Sequence, residues 1–184
     1  MADDIKYIVQ ECLAGKRQAQ EKLYAMFSAK MFGICLRYCK NYDEAKDILQ
    51  EGFLKVFSKL EQFNFAGSFE GWVRRIIVNT AIEKFRVQTR NVSLDYAPES
   101  YEELEEEDLP MISAAEMLAM IQDLPAQYKM VFNLYVFEKL QHKEIAEMLG
   151  ISEGGSKSNL SRARAILQEK VKSKIERKVR IFGT

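Results

Sequence analysis

Apolar residues along this chain recur at intervals of three and four, the spacing that gathers side chains on one side of an α-helix. Nowhere do they alternate in the two-residue rhythm of a half-buried strand, so the pattern predicts an all-α protein. Ala19, Leu23, Met26, Phe27, Met31, Ile34 and Tyr38 form one stripe, and Ala45, Ile48, Leu49, Gly52, Phe53, Val56 and Leu60 form a second, on a helix over Asp43 to Leu60. Each stripe has to be covered by a partner helix. A third helix is predicted from Phe69 to about Arg86, with Trp72, Val73, Ile76, Ile77 and Thr80 inward, after a break at Asn64 to Ser68 whose turn Gly67 marks.

The second half begins with a helix near Ser113, and Leu124-Pro125 restarts the chain before Met130, Val131, Leu134 and Tyr135. A short helix, His142 to Leu149, should end at Gly150, where a left-handed backbone suits glycine, and Ser152 should cap a longer helix through Lys157, Leu160 and Leu167. That is a helix-turn-helix outline. Ile145, Ala146, Leu149 and Ile151 would pack on Leu160, Ala163 and Leu167, which turns the second helix into a presented surface.

Composition separates the halves. The 184 residues are 47% hydrophobic and 29% charged, ordinary for a chain that buries a core, and the net charge is zero. That zero is an average: basic residues outnumber acidic ones 15 to 11 up to Leu94 and 12 to 6 from Leu124, while Asp95 to Asp123 holds ten acidic residues and none that are basic. Asp95 to Pro110, with two prolines and a run of like charge, reads as a flexible acidic linker between two basic modules that face nucleic acid. No apolar run is long enough to span a bilayer and the start lacks a signal-peptide pattern, so a cytoplasmic chain is expected, without membrane insertion. Cys12, Cys35 and Cys39 are expected to be thiols near a core; Cys35 and Cys39 share a helical face but lack the second pair a metal site needs, so no metal and no cofactor is predicted.

Helical wheels then nominate surfaces. On the Asp43 to Leu60 helix, Asp47, Gln50, Glu51, Leu54 and Ser58 lie opposite the apolar stripe, and a leucine among polar groups points to contact with another protein. On the Phe69 helix, Arg75, Val78, Asn79, Ile82 and Arg86 share a second face whose cations could hold phosphates. Before it, Phe63, Asn64, Phe65, Ser68 and Phe69 crowd a loop where aromatics can stack on unpaired bases while amide and hydroxyl groups read their edges. In the helix-turn-helix, Gly154, Ser158, Ser161 and Arg162, flanked by Lys157, are available to a major groove. The single histidine, His142, has no nucleophile pattern or phosphate-binding glycine loop beside it, so catalysis is not predicted; it reads as a surface residue at a helix start.

With these residues in hand, three blocks in order resemble the extracytoplasmic function branch of the sigma-70 family: Asp43 to Phe57, Phe69 to Ala81, and the helix-turn-helix from Glu144 to Arg164. The resemblance runs from about Ala19 to Lys170. It implies a region 2 domain over residues 1–92, an acidic linker over 93–112 and a region 4 helix-turn-helix domain over 113–184. It implies that Asp47, Gln50, Glu51 and Leu54 meet the clamp of the largest subunit of core RNA polymerase. Asn64, Phe65, Ser68, Phe69, Arg75, Asn79 and Arg86 would capture and melt the downstream promoter element, and Lys157, Ser158, Ser161 and Arg162 would read the upstream element as duplex. An anti-sigma factor is an implied partner. Gly155 and Ser156 depart from the threonine and β-branched residue common in the family, which predicts a weaker core contact at the start of the recognition helix, and Asn159 replaces a frequent basic residue that would touch phosphate. Two rival readings stand beside this one: a helix-turn-helix regulator acting alone on duplex operators, and a protein-binding helical adaptor.

Overall fold

The computed structural model describes residues 2–89 and 112–182; the acidic stretch from Asp95 to Asp108, expected as a linker, lies outside them. Among the described residues the regular structure is helical, with no strand. The chain divides into two compact units, Met1–Lys84 and Phe85–Thr184.

The first unit contains α1 (Ala2–Leu13), α2 (Arg17–Tyr38), α3 (Tyr42–Ser58), a 3-10 turn (Leu60–Gln62) and α4 (Phe69–Thr89) as far as Lys84, where the division falls. Helix α1 was not foreseen: its stripe of Ile8, Val9 and Cys12 is too short to stand out, yet all three are buried. Gly15, at φ 78°, turns the chain into α2. The start of α3 is fixed locally, because the Asn41 side chain accepts the Glu44 N–H at 2.9 Å and the Glu44 carboxylate accepts the Lys40 N–H at 3.0 Å. All of the second predicted stripe is buried, with Leu60 in the turn beyond the helix. Glycine at 52 lets α3 and α4 touch: a Cβ there would lie 2.4 Å from Ile77 Cδ1.

Helix α4 departs from its wheel. Val78 and Ile82, expected on the outer face, are 5% and 4% exposed, and join Val73, Ile76, Ile77, Thr80 and Ala81 in the core. The core covers most of the helix circumference, so the outer ridge narrows to Arg75, Asn79, Glu83 and Arg86. Met26, expected in the α2 stripe, is 48% exposed, while Leu23, Met31, Ile34 and Tyr38 are buried as read. The three cysteines are buried free thiols, and burial, helped by neighbouring Cys39, pushes the Cys35 thiol up to about 12.

The second unit contains α5 (Ala114–Gln122), α6 (Ala126–Val136), α7 (His142–Leu149) and α8 (Glu153–Phe182). A capping box starts α5, the Ser113 hydroxyl accepting the Glu116 N–H and the Glu116 carboxylate accepting the Ser113 N–H. The same carboxylate receives Lys178 at 2.9 Å and Lys174 at 3.3 Å from α8. Lys178 and then the Ser113 N–H hold that carboxyl down at about 2. Ile121, Leu124, Ala163 and Leu167 form a core covered by Met117, Tyr128 and Phe132. Gly150 adopts φ 68° after α7, and the Ser152 hydroxyl accepts the Gly155 N–H at 2.9 Å, so the turn and cap of the helix-turn-helix form as the residues predict.

Candidate nucleic-acid and protein interfaces

The outer face of α3 presents Asp47, Gln50 and Leu54 to solvent, with Glu51 half-buried. Leu54 is 65% exposed. Beside it, Tyr24, Lys46, Leu49, Phe53 and Phe57 line, with Gln50 and Leu54, a shallow groove of about 420 Å³. The ring of Tyr24 meets that of Phe53 edge-on, at 4.7 Å between centroids. The wheel named the polar rim and the leucine but missed the aromatic floor, because Tyr24 belongs to α2 and only packing brings it there. The acidic rim is partly matched already: Lys55 pairs with Glu51 at 2.8 Å and Lys84 approaches Asp47 at 3.7 Å. An apolar centre with polar edges is the composition of a protein-binding patch.

The loop before α4 is built on aromatic packing. Phe63, Phe69 and Trp72 lie within 5.0 to 5.6 Å of one another between ring centroids, and Phe27 of α2 reaches Phe69 at 5.4 Å. Phe69, expected to meet DNA, is 5% exposed; three rings of the cluster pack on it, so it supports the loop from beneath. Phe65 stands above, 43% exposed, edge-on to Phe63 at 4.8 Å and with a left-handed φ of 60°. That backbone costs about 1–2 kcal/mol for a residue with a Cβ. The Asn64 side chain closes the turn by accepting the Ala66 N–H at 3.1 Å, and Ser68 caps α4 by accepting the Gly71 N–H at 3.3 Å. From this loop α4 carries Arg75, Asn79 and Arg86 along its exposed ridge, Glu83 interrupting the cations. The site thus offers one exposed ring on a fixed turn, an amide, and a line of charge.

On α8 the outward arc is shifted from the predicted one. Gly154, Lys157, Ser161 and Arg164 are exposed, while Ser158 and Arg162 are half-buried. Arg162 lies 6.0 Å over the Tyr128 ring of α6, and Arg164, which the wheel did not select, lies 5.7 Å over Tyr135. An aromatic ring on a neighbouring helix thus lies beneath each guanidinium. Lys157 pairs with Glu153 one turn back at 2.7 Å. Asn159 is 7% exposed, so the side chain at that position faces the interior and not a phosphate. Ser156 is fully buried, and its hydroxyl lies 2.9 Å from His142 Nδ1, so the expected weak core contact is instead a hydrogen bond between α7 and α8. His142 does start α7, but it is half-buried and stacked on Tyr135 at 4.7 Å and 22°.

No described helix is long and apolar enough to cross a membrane. Residues 23–91 match Sigma-70 region 2 and residues 114–167 match Sigma-70, region 4. The chain is 26% identical over 156 residues to the ECF RNA polymerase sigma factor SigE of Mycolicibacterium smegmatis, covering 81% of this chain and 60% of that protein. Against the ECF RNA polymerase sigma factor SigW of Bacillus subtilis the identity is 26% over 181 residues, covering 91% and 97%. Against the RNA polymerase sigma factor SigV of the same organism it is 30% over 137 residues, covering 74% and 81%.

Proposed function

The chain belongs to the sigma-70 family, in its extracytoplasmic function branch, and from that premise we propose that it is the subunit that carries core RNA polymerase to specific promoters. It answers a stress or another signal, works in the cytoplasm, and is held in check by an anti-sigma factor until that signal arrives. Residues 1–92 act as region 2, residues 113–184 as region 4, and the acidic residues 93–112 join them. A factor of this kind works by binding, and the chemistry of transcription stays with the polymerase.

The observation that carries the reading is the outer face of α3, where Leu54 stands 65% exposed beside Asp47 and Gln50 over an aromatic floor. A leucine left so open contributes little to its own unit and is suited to burial by a larger partner. In this reading Asp47, Gln50, Glu51 and Leu54 grip the polymerase clamp. Phe65 and Asn64, on the turn closed by the Asx bond, receive an unstacked base as the strands open, with Ser68 and Phe69 fixing the turn. Unstacking costs a few kcal/mol and is least costly where the duplex is weak. Arg75, Asn79 and Arg86 follow the strand along the α4 ridge. Lys157, Ser158, Ser161 and Arg162 read the upstream element, Arg162 after leaving Tyr128.

Run-off transcription with core enzyme tests this directly. Addition of the chain should give specific, heparin-resistant open complexes on a matched promoter, while the chain alone binds that duplex weakly. Tight duplex binding with no effect on core would instead support a regulator acting alone, a reading that leaves the region 2 match over residues 23–91 without a purpose.

A further inference from the structure

His142 is the chain's single histidine, and in the second unit it is half-buried against an aromatic ring and a hydroxyl, with charged side chains nearby. From α6, Tyr135 stacks on the imidazole at 4.7 Å. From α8, Ser156 Oγ lies 2.9 Å from Nδ1, and Glu153, Lys157 and Arg164 act on the ring through their charges. On its own helix the nearest charges are Lys143 and Glu144, the latter engaged with the Gln141 N–H at 2.7 Å. Half-burial, then Lys157, then Arg164 push the imidazole below its usual value, with Glu153 opposing them, so in the free protein the ring is neutral near pH 7.

The geometry allows both protonation states to keep the link to α8. A neutral ring can accept the Ser156 O–H at Nδ1 or donate to Oγ from it, and an imidazolium donates. Protonation therefore changes the charge at this spot without breaking the contact between the two helices. Beyond burial, what opposes the charge is cationic: Lys157 and Arg164 are both on the outward arc of α8, and Arg164 already lies over the Tyr135 ring at 5.7 Å. A phosphate backbone on that arc would neutralise both. It would also draw Lys157 from Glu153, its partner at 2.7 Å, leaving that carboxylate, which Lys143 would then still offset, to act more strongly on the imidazole.

We propose that His142 is a proton-linked member of the DNA-reading surface: when a duplex backbone engages Lys157 and Arg164, the imidazole takes up one proton and adds its charge to the contact. The inference rests on the DNA-binding reading of α8 given above. By linkage, a site that gains a proton on binding binds more tightly as pH falls through the histidine range. A tenfold tightening corresponds to a rise of about one pKa unit on binding, so the expected effect between about pH 8 and pH 5 is roughly three- to tenfold.

The test uses the whole 184-residue chain and a short random-sequence DNA duplex at low salt. As the sole histidine, His142 gives an unambiguous ring-proton NMR signal, and its titration midpoint should move upward when saturating duplex is added. Binding by fluorescence anisotropy should tighten as pH falls. That pH dependence should be lost in His142→Gln, whose amide can still bond Ser156 but does not titrate. A bound duplex with an unmoved midpoint, or the same pH dependence in His142→Gln, overturns the proton linkage and leaves DNA binding intact. No duplex binding at any pH overturns both.

Discussion

Leu54→Ala separates a surface kept for a partner from one kept for stability. Leu54 is 65% exposed. Full burial of a leucine side chain contributes about 1.5–3 kcal/mol, so the part still open to water represents about 1–2 kcal/mol once polymerase covers it. Removing it should weaken core binding roughly 5- to 30-fold. The cost to folding should be within about 0.5 kcal/mol, since leucine and alanine have similar helix propensities and the side chain has little packing to lose. Gln50→Ala in the same chain should add to the binding loss, because its amide borders the same groove. Competition for core against a labelled sigma factor measures the first quantity, and thermal unfolding of the isolated chain measures the second. Unchanged affinity in the double variant would remove this face from the interface. A large fall in Tm would mean that Leu54 is buried in solution.

Other expectations follow from particular contacts. Gly52→Ala should destabilise the first unit by about 0.5–2 kcal/mol, as overpacking against fully buried Ile77 exceeds the helix-propensity gain, and Ile77→Val should cost less in that background than alone; additive costs in a denaturant-melt cycle would refute the clash. Lys139, three residues past α6, has φ 59° where the Leu140 N–H reaches back to Leu134 O at 3.2 Å, so Lys139→Gly should stabilise by about 0.5–1 kcal/mol in the same melts. Glu116, held down at about 2, binds fewer protons folded than unfolded, so its stabilisation is present above about pH 4.5 and lost as pH falls toward 2; Glu116→Gln should flatten the acid limb of a Tm-against-pH curve across that window. Arg162→Ala should lower upstream-element-dependent transcription by about fivefold or more while core affinity is kept, and loss of core binding would place Arg162 in a structural role over Tyr128.

Features that depend on residues three or four apart were legible in the chain itself. The Ser152 cap, the left-handed Gly150 and the buried α3 stripe all formed where their residues predicted, because caps, turns and helical faces are decided within one or two turns of backbone. The assignment to a family rested on the same local blocks. What the wheels could not supply was the breadth of the arc a neighbour covers. Val78 and Ile82 went inward because α4 is surrounded over most of its circumference, and Asn159 went inward because the core side of α8 is wider than its apolar stripe. Phe69 became a support because Phe27 of α2, Phe63 and Trp72 pack on it, and Arg162 and Arg164 settled over tyrosines of α6 because a ring face attracts a cation. The His142 to Ser156 bond spans 14 residues and joins two helices, so nothing in either segment announced it. Periodicity tells a side chain which way to point on its own helix; only packing decides whether water, a ring or a partner charge waits there.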